Sequence, residues 1–110
     1  MTAQTTLDIP AGAPEDMASR ATEAAAYLKT LAHEGRLMIL CHLGPGEKSV
    51  SELERLLNLR QAAVSQMLAR LRDDGLVETR RQGKTIYYRL SDDNTKQVIG
   101  LLHSLFCAAD

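Results

Sequence analysis

From Pro14 onward apolar residues recur at spacings of three and four: Met17, Ala21, Ala24, Leu28 and Leu31 fall on one stripe, with Glu15 and Asp16 beside the proline. A proline at the first helical position and acidic residues in the first turn suit the positive end of a helix dipole. The pattern predicts an amphipathic helix from Pro14 to about Ala32. A second helical run, from about Glu34 through Leu43, puts Leu37, Leu40 and Cys41 on one side and is stopped by Gly44-Pro45-Gly46. Ser49 and Glu52 have capping-box spacing and precede Leu53, Leu56 and Leu57, so a third, short helix starts there. It has room for two turns before Asn58-Leu59-Arg60. Gln61 to Asp74 then carries Val64, Met67, Leu68 and Leu71 at helical spacing and ends at Gly75. Two short helices across a three-residue turn form a helix-turn-helix.

The period then changes. Leu76 to Arg80 and Thr85 to Leu90 are rich in β-formers and are joined by Arg81-Gln82-Gly83-Lys84, which predicts a β-hairpin with a basic tip. Ser91 is the expected N-cap of a last helix, with Asp92 and Asp93 in its first turn, running to about Ala108. The predicted order is ααααββα, a mainly helical chain with a β-hairpin wing. Residues 1–13, with Pro10 and Gly12 and no periodicity, read as a flexible arm; residues 14–110 read as one folded domain.

Composition narrows the class. With 110 residues there is room for one domain. One Phe, three Tyr and no Trp leave the core to aliphatic side chains, which favours helices over a β-sandwich. No run approaches the 18 or more apolar residues that span a bilayer, and no basic-flanked apolar leader is present. A cytoplasmic location without membrane contact is expected. The net charge is only −1, but it is segregated. Residues 1–54 hold four Lys or Arg against eight Asp or Glu, residues 55–90 hold eight against three, and residues 91–110 hold one against three. A basic block over the helix-turn-helix and hairpin is the footprint of a polyanion-binding surface.

Double-stranded DNA is the expected partner. The second helix of a helix-turn-helix fits the major groove when its outward side chains are short and polar. Gln61, Ala62, Ser65 and Gln66 lie near the start of that helix, opposite the Val64, Leu68 and Leu71 stripe, and Gln pairs bidentately with adenine. Arg60 and Arg70 lie where phosphates would pass, and Arg80, Arg81 and Lys84 surround the Gly turn of the wing. No nucleophile, base and orienting group, no phosphate loop and no acid pair is arranged for catalysis, so an enzyme is not expected. A protein-interaction module of the same shape would predict no salt-dependent binding to any duplex.

The run LKTLAHEGRLMILCHL, followed by SVSELERLLNLRQAAVSQMLARLRDDGLVETRRQGKTIYYRL, resembles the ArsR/SmtB family of winged-helix repressors over about residues 20–107. The resemblance implies a homodimer, paired through the first and last helices, that releases a palindromic operator when an inducer binds. The Val98, Leu101 and Leu105 stripe of the last helix fits such a pairing or an intrachain core. The metal sites implied by the family are not assembled. Ser49-Val50-Ser51-Glu52-Leu53 stands where a Cys-x-Cys motif would lie, and Asp92, Asp93 and Asn94 are followed only by His103. No resident metal or other cofactor is expected, although Cys41, His42, His103 and Cys107 have the chemistry to hold Zn²⁺.

The chain has two cysteines, Cys41 and Cys107, and no Cys-x-x-Cys. In a cytoplasmic protein such thiols also read as inert small hydrophobes, and a permanent disulfide is not expected. Both lie near helix C-termini, where the dipole disfavours a thiolate; His103, four residues before Cys107, would offset this if protonated. Within the family, one cysteine in the second helix and another late in the last helix resemble the BigR/SqrR group of persulfide-sensing repressors. That resemblance implies that reactive sulfur species join Cys41 to Cys107 through a disulfide or polysulfide and so release DNA. A metal-responsive or general oxidant-responsive repressor of the same fold is the alternative.

Overall fold

Ile39, Leu40, Leu53, Val64, Leu68 and Leu71 are fully buried, so three helices meet one another, although the run from Glu34 buries Ile39, Leu40 and Leu43 rather than the expected Leu37, Leu40 and Cys41, of which Leu37 is partly buried and Cys41 exposed. Leu31, Leu43, Leu76, Val77 and Ile99 complete the core around them. Each such side chain contributes roughly 2 kcal/mol relative to exposure. In the computed structural model, which describes residues 9–107, the elements run α1 (Ala13–Ala18), α2 (Ala21–Leu31), α3 (Glu34–Leu43), β1 (Lys48–Ser49), α4 (Val50–Leu57), α5 (Gln61–Asp73), β2 (Val77–Gln82), β3 (Thr85–Leu90) and α6 (Asp93–Phe106). This is a mainly helical winged helix-turn-helix. Among the described residues no helix is long and apolar enough to cross a membrane.

Local chemistry explains most boundaries. The capping box at α4 is complete: the Glu52 backbone N–H donates to Ser49 Oγ at 3.2 Å, and the Ser49 N–H donates to Glu52 Oε1 at 2.8 Å. Asn58 ends α4 in the left-handed region at φ 56°, which a short polar side chain tolerates, and turns the chain into α5. Gly75, at φ 80°, ends the α5 turn and lets Leu76 N–H reach back to the Leu71 carbonyl.

The structure corrects several of the expected boundaries. The long first helix is broken at Ser19 and Arg20 into α1 and α2. Ser19 Oγ donates to the Asp16 carbonyl at 3.4 Å and Arg20 N–H turns back to Met17 O, while α1 buries no side chain that would hold it in line with α2. The helix begins at Ala13, one residue inside the expected arm, whose residues 1–8 lie outside the described part of the chain. A third strand, β1, pairs antiparallel with β3 through Lys48 and Tyr88 and through Ser49 and Tyr87, giving the order β1-β3-β2. Two residues are too few for an alternating pattern to announce.

The hairpin is also longer than expected. Gln82 pairs with Thr85, so Arg81 and Gln82 belong to β2 and only Gly83 and Lys84 form the turn, with Gly83 at φ 63°. At the last helix the N-cap is Asp92, not Ser91; its Oδ1 accepts from the Asn94 and Thr95 N–H groups. The helix ends at Phe106, and Ala108 lies outside the described residues.

Replacing Ser49 with Ala should lower unfolding stability by about 1 kcal/mol in urea denaturation, whereas Glu52→Gln, which can still accept from the Ser49 N–H, should cost less. Hydrogen bonding holds Glu52 (from Ser49), Glu47 (from Arg80) and Asp74 (from Thr30) below the usual carboxylate range. Folded values below unfolded ones mean that this stability is present at neutral pH and lost on acidification. Thermal stability should be flat down to about pH 5 and fall below it.

Candidate nucleic-acid interface and the cysteine pair

Because Val64, Leu68 and Leu71 bury one stripe of α5, the opposite stripe must face out. Ala62 and Gln66 are exposed there, Ser65 on its flank and Gln61 in the first turn are exposed as well, and Arg60 precedes the helix in extended backbone and is exposed.

The basic residues divide into two groups. Arg70 Nε donates to Asp74 Oδ2 at 2.7 Å, one helical turn along. Arg80 is fully engaged: Nε and Nη2 donate to the two Glu47 carboxylate oxygens at 3.0 and 2.7 Å, Nη1 donates to Gln82 Oε1 at 2.9 Å, and the guanidinium lies 4.8 Å above the Tyr87 ring. The Glu47 hydrogen bonds raise its already high pKa. Such a bidentate, stacked arginine braces the wing against the α3–β1 loop. Arg81 and Lys84 are exposed at the tip and, among the described residues, carry no ion pair. Sequence reasoning placed Arg80 with them because composition does not reveal that Glu47, Gln82 and Tyr87 surround it.

Cys41 is on α3, and Cys107 caps the C-terminus of α6, its N–H bonded to the His103 carbonyl at 2.8 Å. Both are free and exposed. Burial pushes the Cys41 thiol above the ordinary value, and the charge of Cys107 pushes it further, so the two sulfurs lie within electrostatic reach of one another. His103 is exposed in the last turn of α6. Among the described residues no three His, Cys, Asp or Glu side chains come together to hold a metal ion. Within one chain, Cys41, His42, His103 and Cys107 therefore do not form the four-ligand zinc cluster their chemistry allows.

On α6, Leu101, Leu105 and Phe106 are exposed, the last at 82%, and so are Met17 of α1 and Leu28 of α2. Val98 is partly buried against the core. The last-helix stripe is thus core at one end and uncovered at the other.

Comparison with known proteins agrees with this geometry. The family model described as bacterial regulatory protein, arsR family, matches residues 33–79. The biofilm growth-associated repressor of Agrobacterium fabrum (strain C58) is 51% identical over 94 residues, covering 86% of this chain and 80% of that protein. The crystal structure of the transcriptional repressor BigR from Xylella fastidiosa superposes with a TM-score of 0.82 at 48% identity, over 87% of this chain and 98% of that one. Reduced HlyU from Vibrio cholerae gives 0.80 at 47%, over 86% and 99%.

The geometry predicts that the alkylation rate of Cys41 continues to climb above the pH at which an ordinary thiol has titrated. In Cys107→Ser that profile should shift to lower pH, because the like charge is gone while the burial remains. Iodoacetamide labelling across pH, followed by mass spectrometry of the Cys41 peptide, checks both points.

Proposed function

The chain belongs to the arsR family of bacterial regulatory proteins and is a transcriptional repressor, not an enzyme; on that premise we propose that its inducer is a reactive sulfur species and its switch the Cys41 and Cys107 pair. The observation that carries this reading is the placement of two exposed thiols on α3 and at the end of α6, with the Cys41 thiol pushed up by burial and by the charge of Cys107. In the reduced state the protein binds operator DNA as a homodimer in the cytoplasm. Gln61, Ala62, Ser65 and Gln66 face base edges, Arg60 and Arg70 face phosphates, and Arg81 and Lys84 carry the wing contact while Arg80 braces it. The uncovered apolar side chains of α1, α2 and α6 are the pairing surface.

The chemistry needs only the two thiols and the sulfur donor. A thiolate takes the outer sulfur of a persulfide RS–SH and expels RS⁻, which leaves Cys–S–SH. Attack by the partner thiolate on its inner sulfur closes a disulfide and expels HS⁻. If the attacking cysteine itself carries a transferred sulfur, the same step closes a trisulfide. His103, one turn before Cys107 in the last turn of α6, is the candidate modulator of the pair. The bridge ties the end of α6 to α3, which packs directly on the DNA-reading helix α5. Closing a loop of this length is worth roughly 4 kcal/mol in the chain-entropy model, ample to bias a two-state regulator if it fits one state alone.

Reduced protein treated with a persulfide donor should yield a cross-linked tryptic species joining Leu37–Lys48 to Gln97–Asp110 with extra sulfur. In fluorescence anisotropy it should release a duplex selected from a random-sequence pool. Peroxide should leave the peptides largely unlinked, and Cys41→Ser and Cys107→Ser should bind the duplex but not release it. Free, unlinked thiols after persulfide treatment would sink the reading, as would tight Zn²⁺ binding that weakens DNA affinity. The logarithmic salt slope of binding should fall by about one in Arg81→Ala and in Lys84→Ala. Gln61→Ala and Gln66→Ala should each cost about 1–3 kcal/mol on the selected duplex and leave the slope unchanged.

A further inference from the structure

Asp74 stands at the wrong end of its helix. It is the C-cap of α5, where the backbone dipole is negative and a carboxylate is disfavoured. Its surroundings offset this. Thr30 of α2, 1% exposed, donates its hydroxyl to Asp74 Oδ2 at 2.5 Å, and Arg70 Nε donates to the same oxygen at 2.7 Å. Arg36 of α3 joins the junction: its Nε donates to the Thr30 carbonyl at 2.8 Å and its Nη2 to the Lys29 carbonyl at 3.4 Å, so the C-terminal carbonyls of α2 are met by a cation. One turn earlier on α2, the Tyr27 hydroxyl shares a 2.8 Å hydrogen bond with Thr95 Oγ1 of α6. The base from which Thr30 reaches Asp74 is itself held on both sides.

A carboxylate that breaks the helix-dipole rule, yet is bonded to a buried hydroxyl on another helix and to an arginine of the DNA-reading helix, is serving something other than local helix stability. We propose that Asp74 is a positioning residue for DNA recognition: seated on Thr30, it fixes the C-terminal end of α5 against α2 and aims Arg70. This depends on DNA binding alone and is independent of which inducer the protein senses. The contact is direct and spans 44 residues of sequence, so it ties the orientation of α5 to a helix outside the helix-turn-helix.

The contact can be removed without stranding a polar group. In Thr30→Val the Asp74 carboxylate stays accessible to water. In Asp74→Asn the Thr30 hydroxyl retains the Ala26 carbonyl, 3.3 Å away, as acceptor. The probe is a duplex selected from a random-sequence pool with the reduced protein, compared at equal salt with a scrambled duplex of the same length. Thr30→Val should bind the selected duplex about tenfold more weakly and the scrambled one within about twofold of the parent, with Thr30→Ser restoring the parent value. Asp74→Asn removes a negative charge from the basic surface, so electrostatics alone would tighten both duplexes. Positioning requires instead that it weaken the selected one. The proposal is overturned if Asp74→Asn tightens both alike, if Thr30→Val leaves selected-duplex affinity unchanged or lowers both equally, or if Thr30→Ser fails to restore it. Melting curves establish that each variant is folded at the assay temperature, and should Thr30→Val not fold, Asp74→Asn decides.

Discussion

The helix α5 must bury one stripe completely and expose the opposite one completely, and the rest of the molecule depends on that constraint. Val64, Leu68 and Leu71 have no solvent exposure, and they are covered by Ile39 and Leu40 of α3 and Leu53 of α4. Packing at crystal-like density leaves α5 little freedom to roll about its axis, so the exposure of Ser65 and Gln66 follows from the burial of Val64, Leu68 and Leu71.

Charge is organised around the same helix. In a chain of net charge −1, residues 55–90 hold eight cations against three acids, while the rest of the chain holds five against eleven. The structure divides those cations by task. Arg70, Arg80 and Arg89 are paired with Asp74, Glu47 and Glu78 and give shape to the surface. Arg81 and Lys84, at the tip of the wing, carry no ion pair among the described residues. Exposed ion pairs contribute little to stability, so the pairing matters chiefly for where each guanidinium points.

Helix α3 links the two halves of the mechanism. Its buried side supports α5 and its exposed side carries Cys41, whose thiol is pushed up by burial and by the charge of Cys107 at the end of α6. The covalent bridge we propose would act on the element beneath α5, and the Thr30 contact to Asp74 holds the same helix from α2. The fold thus holds α5 from two sides, by apolar packing from α3 and by a polar contact from α2.

The amino-acid sequence alone determined the features whose cause lies within a few residues. These were the capping box at Ser49 and Glu52, the stop at Gly44-Pro45-Gly46, the turn at Asn58-Leu59-Arg60, the change from helical to alternating period at Leu76, and hence the winged helix-turn-helix. Tertiary structure decided what depends on partners far along the chain. The Glu47 to Arg80 pair spans 33 residues and the Thr30 to Asp74 contact spans 44, so no local pattern announces either. Strand β1 exists only because β3 is there to pair with it, and the first helix breaks because α1 finds nothing to bury against. Whether two cysteines at the ends of separate helices can meet is likewise set by how α3 and α6 pack, since helix periodicity gives the face a side chain occupies but not the neighbour it finds there.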